Sequence, residues 1–103
     1  GPDFSIETAR LSSDATQLTI SAKLPAFRPS GIEPGLFVTG PDGYAFAPPK
    51  LIREEGGTAE WTVRVEPPSN RPSDEAMVPL DIVLTLGQRA LGQSVAATPA
   101  PAN

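Results

Sequence analysis

A chain of 103 residues, 39% hydrophobic and 19% charged, has enough apolar material for one domain with a core of its own. It contains neither cysteine nor histidine, which excludes thiol chemistry, disulfides, imidazole acid–base catalysis and the usual zinc sites. A net charge of −4 argues against a nucleic-acid surface, and no apolar run approaches the roughly 20 residues of a membrane-spanning helix. Gly1-Pro2 has the look of a protease-cleavage scar, so residues 1–2 are expected to be a tag remnant and the rest a piece of a longer protein.

Thirteen prolines and nine glycines favour short strands and frequent turns over long helices. Phe4 and Ile6 alternate with polar neighbours, then the phase shifts to Ala9 and Leu11, which predicts a bulge near Thr8. Residues 3–11 and 17–24, the latter with Leu18, Ile20, Ala22 and Leu24 in strict alternation, are predicted strands joined by a polar loop over 12–16. Residues 25–34 hold three prolines and cannot be a central strand; they read as a long crossover with Phe27 and Ile32 tucked beneath it.

Leu36, Phe37 and Val38 have the character of a buried strand. Pro41-Asp42-Gly43 is turn chemistry, Tyr44 and Phe46 follow on one face of a short strand, and Pro48-Pro49 ends it. Lys50-Leu51-Ile52-Arg53 reads as an edge strand. After the turn at Glu54-Glu55-Gly56-Gly57, Ala59, Trp61, Val63 and Val65 form the cleanest amphipathic strand, with Trp61 assigned to the core. Residues 67–76 form a second Pro-rich crossover, in which Ser73-Asp74-Glu75 could open a single helical turn. The last hairpin starts at Met77 or Val78, carries Leu80, Ile82, Leu84 and Leu86 inward with Val83 on the other face, turns at 87–89 and returns with Leu91 and Val95. Residues 96–103 are Ala/Pro-rich and read as a disordered tail or interdomain linker, leaving 3–95 as the domain.

Seven or eight short strands with two long crossovers predict an all-β fold, an immunoglobulin-like β-sandwich of antiparallel strands in two sheets. A small closed barrel is the competing architecture, and the two long Pro-rich connections favour the sandwich.

Carboxylates are the remaining acid–base groups, and the pairs Glu54-Glu55 and Asp74-Glu75 fall in turns, where they read as solvated surface charge. Neither Pro41-Asp42-Gly43 nor Glu54-Glu55-Gly56 has the oxygen count of a calcium loop. Lys23 and Lys50 sit in no serine–lysine motif, and Gly35, Gly40 and Gly43 precede no helix that would hold a phosphate. No catalytic, metal-binding or cofactor-binding residue is therefore expected. Tyr44 and Phe46 are the candidate contact pair: core residues of one face on the plainer reading, partner anchors if a ring stands exposed.

The succession Gly-Leu-Phe-Val at 35–38, Tyr-Ala-Phe-Ala-Pro-Pro at 44–49, Ala-Glu-Trp-Thr-Val-Arg-Val at 59–65 and Leu-Asp-Ile-Val-Leu-Thr-Leu-Gly-Gln-Arg-Ala-Leu at 80–91 resembles one Ig-like domain from the N-terminal periplasmic region of bacterial transmembrane thiol:disulfide reductases of the DsbD/ScsB type. The resemblance covers about residues 3 to 95. That family moves electrons from cytoplasmic thioredoxin through a membrane domain to a periplasmic cysteine pair. Lacking cysteine, this chain resembles the cysteine-free member of a tandem of Ig-like domains. The resemblance implies a non-catalytic module, monomeric, periplasmic as part of an inner-membrane protein, not itself inserted in the membrane. Its implied partners are the adjacent cysteine-bearing domain or periplasmic redox proteins. The alternative is a generic spacer, adhesion or carbohydrate-binding β-sandwich of a secreted or surface protein, with Tyr44 and Phe46 as an exposed platform.

Overall fold

Period-two alternation gives each strand one apolar face to hide, and short strands can hide it only by wrapping around a shared interior. The computed structural model describes residues 3–26, 31–72 and 77–99. Eight strands follow in chain order: β1 (Ser5–Leu11), β2 (Gln17–Lys23), β3 (Pro34–Thr39), β4 (Ala45–Phe46), β5 (Lys50–Glu55), β6 (Thr58–Glu66), β7 (Val78–Leu86) and β8 (Arg89–Pro99). No helix occurs among the described residues, so the fold is all-β, as the turn-rich composition predicts.

The hydrogen-bonded path runs β3-β7-β8-β1-β2-β6-β4, with β5 also on β6. β4 and β5 lie along the same edge of β6: Phe46 pairs with Val65, the Ala47 N–H donates to the Arg64 carbonyl at 2.9 Å, and Lys50 pairs with Thr62. They are two halves of one line, cut where Pro48-Pro49 has no N–H to give. The two ends of the path, β3 and β4, are consecutive in the chain and joined by residues 40–44, so the sheet curls toward a barrel. Among the described residues every pairing is antiparallel except that of β1 with β8, which is parallel and holds only Arg10 to Thr98 and Leu11 to Pro99.

The interior is filled from every strand of the path. Leu18, Ile20, Val63, Val65, Ile82 and Leu84 are its largest fully buried side chains, and Trp61 lies among them at 2% exposure. The expected bulge is present, with the β1–β2 register shifting between Ile6 and Thr8. The β5–β6 hairpin turns on Gly56-Gly57, both at positive φ (61° and 80°), the geometry that matches the twist of the flanking strands. The connection after β2 carries the chain to the far end of the path, as the crossover reading required. Ile32, on that connection, is half-buried against the core; Phe27, its expected companion, and the helical turn at Ser73-Asp74-Glu75 lie outside the described residues.

Two expectations need correction. Phe37 is not buried: it is 63% exposed, because β3 turns Pro34 and Leu36 inward and its alternate position outward. The boundary at Val95 is also too early. β8 continues to Pro99, with Ala97 in the core at 1% exposure, because Thr98 and Pro99 pair with β1. Residues 1–2 and 100–103 lie outside the described residues.

Toward the N-terminal ends of β1 and β8 side chains continue the join. The Gln93 amide accepts from the Ile6 N–H and donates to the Ile6 carbonyl, both at 3.1 Å, doing for β1 what a neighbouring backbone would do. Beyond it Arg89 pairs with Asp3 and stacks 4.6 Å over the ring of buried Phe4. Replacing Gln93 by Leu removes both bonds and leaves the Ile6 N–H and carbonyl without partners. We expect a loss of about 1–3 kcal/mol and a melting temperature lower by roughly 5–15 °C. Gln93→Glu keeps the acceptor but sets a carboxylate against the Ile6 carbonyl. It should be destabilised at neutral pH and recover partly once the carboxyl is protonated. Thermal melts of both variants at neutral and acid pH check this; wild-type stability in Gln93→Leu would remove the amide from the account.

Candidate functional site

The stretch after β3 brings the expected contact residues to the place where the ends of the sheet path meet. The Tyr44 N–H closes a turn onto the Pro41 carbonyl at 3.2 Å, and Gly43, at φ 90°, rests against Pro68 of the β6–β7 connection. Tyr44 and Phe46, two residues apart, stack with ring centroids 6.2 Å apart and planes 13° from parallel. Both are half-buried and pack against the core. Phe46 reaches over Gly40: a Cβ there would lie 2.8 Å from Phe46 Cζ and 3.2 Å from Leu80 Cδ2. The pair thus serves first as the packing that closes β4 onto the β3–β7 side, half-buried rather than a free platform.

A groove of about 420 Å³ opens beside this closure, lined among others by Gly40, Pro41, Leu80, Asp81 and Ser94. Ser94 Oγ donates to Asp81 Oδ1 at 2.8 Å, and Thr39 Oγ1 donates to the Asp81 carbonyl at 3.4 Å. The serine hydroxyl and the carboxylate together offer a ligand hydrogen-bonding groups at the groove.

A second feature escaped the sequence reading. Phe37 faces outward directly across from Val83, itself 38% exposed, and the position beyond Val83 on β8 is Gly92, whose surroundings are open. Gly35 and Ala90, opposite Thr85, add only small groups to the same face. The phenyl ring therefore stands clear of its neighbours on a strand that ends the path. The alternation of Pro34, Leu36 and Val38 was the signal that could have found it, since it fixes Phe37 on the opposite side.

Among the described residues the carboxylates do not gather into a metal-binding group. Glu54 and Glu55 are exposed at the end of β5, Asp74-Glu75 lies outside the described residues, and among the described residues no group of three potential metal ligands comes together. Asp14 is engaged in the 12–16 loop. Its Oδ1 accepts from Thr16 Oγ1 at 2.6 Å, the Thr16 N–H at 3.1 Å and Ser12 Oγ at 2.8 Å, and those bonds hold its carboxyl below the usual range. The loop they fix carries buried Ala15 at φ 61°. Asp3 is likewise lowered, first by its bond to Arg89.

No protein-family model, curated protein or solved structure matches the chain.

Gly40→Ala is expected to destabilise by about 1–3 kcal/mol, because the Phe46 ring must leave its place. The cost should be smaller in a Phe46→Ala background, a non-additivity that a double-mutant cycle of denaturant midpoints measures. The lowered Asp14 carboxyl contributes stability that is complete above the ordinary carboxylate range and is lost as pH falls through the folded-state value. Melting temperatures followed from about pH 5 to about pH 2 should therefore fall further in wild type than in Asp14→Asn.

Proposed function

We propose that the chain is a non-catalytic, immunoglobulin-like β-sandwich module of a periplasmic thiol:disulfide interchange protein of the DsbD/ScsB type, anchored elsewhere in the inner membrane. It positions the redox-active domain or contacts its partners. The sandwich reading takes β1, β2, β6 and the β4–β5 line as one sheet and β3, β7 and β8 as the other. Its support is the strand order, which reproduces the A-B-E-D and C-F-G arrangement of constant-type immunoglobulin domains. The sequence resemblance supplies the parent and the compartment.

The observation that carries a docking role is Phe37, an aromatic ring 63% exposed on a regular strand with Val83 beside it. Exposed aromatics on rigid frames are what partner surfaces use as anchors. The non-catalytic reading draws on the lack of Cys and His, which leaves the module without thiol or imidazole chemistry of its own. On this reading Phe37 and Val83 form the centre of the contact, and the half-buried Tyr44 and Phe46 a second one. The neighbour is the cysteine-bearing domain of the same parent.

Titrating the isotope-labelled domain with that cysteine-bearing domain should move amide signals around Phe37 and Val83, in the reduced or the oxidised state. Phe37→Ser should weaken binding about tenfold or more without lowering the melting temperature, as expected for an interface anchor outside the core. No perturbation in either redox state would sink the docking role, and thiol reductase activity in the isolated domain would sink the non-catalytic one.

A further inference from the structure

The strand register sets up a face that neither the core nor the docking reading uses. Arg10 on β1 pairs with Thr19 on β2, Thr19 with Thr62 on β6, and Thr62 with Lys50 on β5. One straight row across four strands therefore carries a cation at each end and two hydroxyls between them, about 14 Å from end to end at the usual strand spacing. In the next row Gln17 lies opposite Arg64. Arg10, Lys50 and Arg64 are all exposed, and none forms an ion pair among the described residues.

Two open grooves follow this face and share Gln17. One, of about 590 Å³, includes Thr8, Arg10, Thr19 and Glu60; the other, of about 380 Å³, includes Thr16, Lys50, Thr62 and Arg64. Glu60 lies opposite Arg53 in the ladder, and Glu66 bounds the face two residues beyond Arg64. In a chain of net charge −4, three exposed cations around a patch of hydroxyls and an amide are a local reversal of sign.

We propose that this outer face of β1, β2, β6 and β5 binds an acidic polysaccharide, a chain of carboxylate- or sulfate-bearing sugars laid across the strands from Arg10 to Lys50, with Arg64 beside it. The cations take the acidic groups, while Thr19, Thr62 and Gln17 donate to and accept from ring hydroxyls. An acidic protein is the poorer fit. No aromatic ring lines either groove, Val63 is buried in the core, and Ile52, exposed on β5 at its register shift, lines neither groove, so the grooves themselves offer no large apolar anchor of the kind protein partners rely on. Binding here stands apart from the docking reading, which uses other strands.

The test titrates the labelled 103-residue chain with alginate oligosaccharides, neutral dextran oligosaccharides and a poly-glutamate peptide of matching charge. Alginate should shift the amides of Arg10, Gln17, Thr19, Lys50, Thr62 and Arg64, dextran should shift none, and the affinity should fall steeply with added salt. Lys50→Glu with Arg64→Glu should weaken alginate binding about tenfold or more at an unchanged melting temperature, and Arg10→Glu alone should weaken it by less. No alginate binding, an unchanged affinity in these folded variants, or equally tight binding of poly-glutamate would each overturn the proposal, the last in favour of an acidic protein partner.

Discussion

The fold depends on how β1 and β8 are held together. These strands carry the two halves of the hydrogen-bonded path, yet among the described residues their backbones pair only at Arg10 with Thr98 and Leu11 with Pro99. Elsewhere the join is made by side chains. The Gln93 amide faces the Ile6 backbone with one donor and one acceptor, and Arg89 clasps Asp3 over the Phe4 ring. Amide and peptide group are chemically alike, so glutamine can stand in for a missing strand neighbour at the cost of ordering one side chain. Gln93 and Ile6 are 87 positions apart, so this join closes a loop of nearly the whole chain and carries the entropy cost of doing so.

The opposite side of the molecule is closed by the fit of aromatic side chains. Phe46 occupies the space that any side chain at position 40 would need, and Tyr44 stacks behind it. Stretch 35–49 carries both strands that this closure joins. It links the first and last strands of the path, which is why it combines a strand, a tight turn and a proline stop in so few residues.

What the sequence made legible was whatever depends on local periodicity. Ala59, Trp61, Val63 and Val65 announce a half-buried strand by themselves, and the slip of phase after Ile6 announces the bulge. Pro48-Pro49 marks the break between β4 and β5 for a reason confined to two residues. Features that depend on distant partners were not legible. Gln93 occupies the inward phase of Leu91, Val95 and Ala97, a polar residue in an apolar row, but only the position of Ile6 explains it. Ala96 to Pro99 look like linker until β1 is placed beside them. Phe37 is apolar by type, and type competed with alternation; alternation won because β3 has one buried face. The row from Arg10 to Lys50 gathers residues from four strands, so no window of sequence contains it.

The parallel sense of β1 and β8 has a mechanical consequence. β1 begins near the start of the chain and β8 ends near its finish, and they run in the same direction. Tension applied through the two ends therefore pulls these strands along their length in opposite senses. The load falls on the backbone pairs, the Gln93 bonds and the Arg89 clasp together, in shear, instead of opening them one after another like a zipper. Resistance to such tension is governed by the barrier to unfolding, not by equilibrium stability. A domain strung between a membrane anchor and a moving neighbour would thus hold its shape under tension through the join that its backbone alone leaves incomplete.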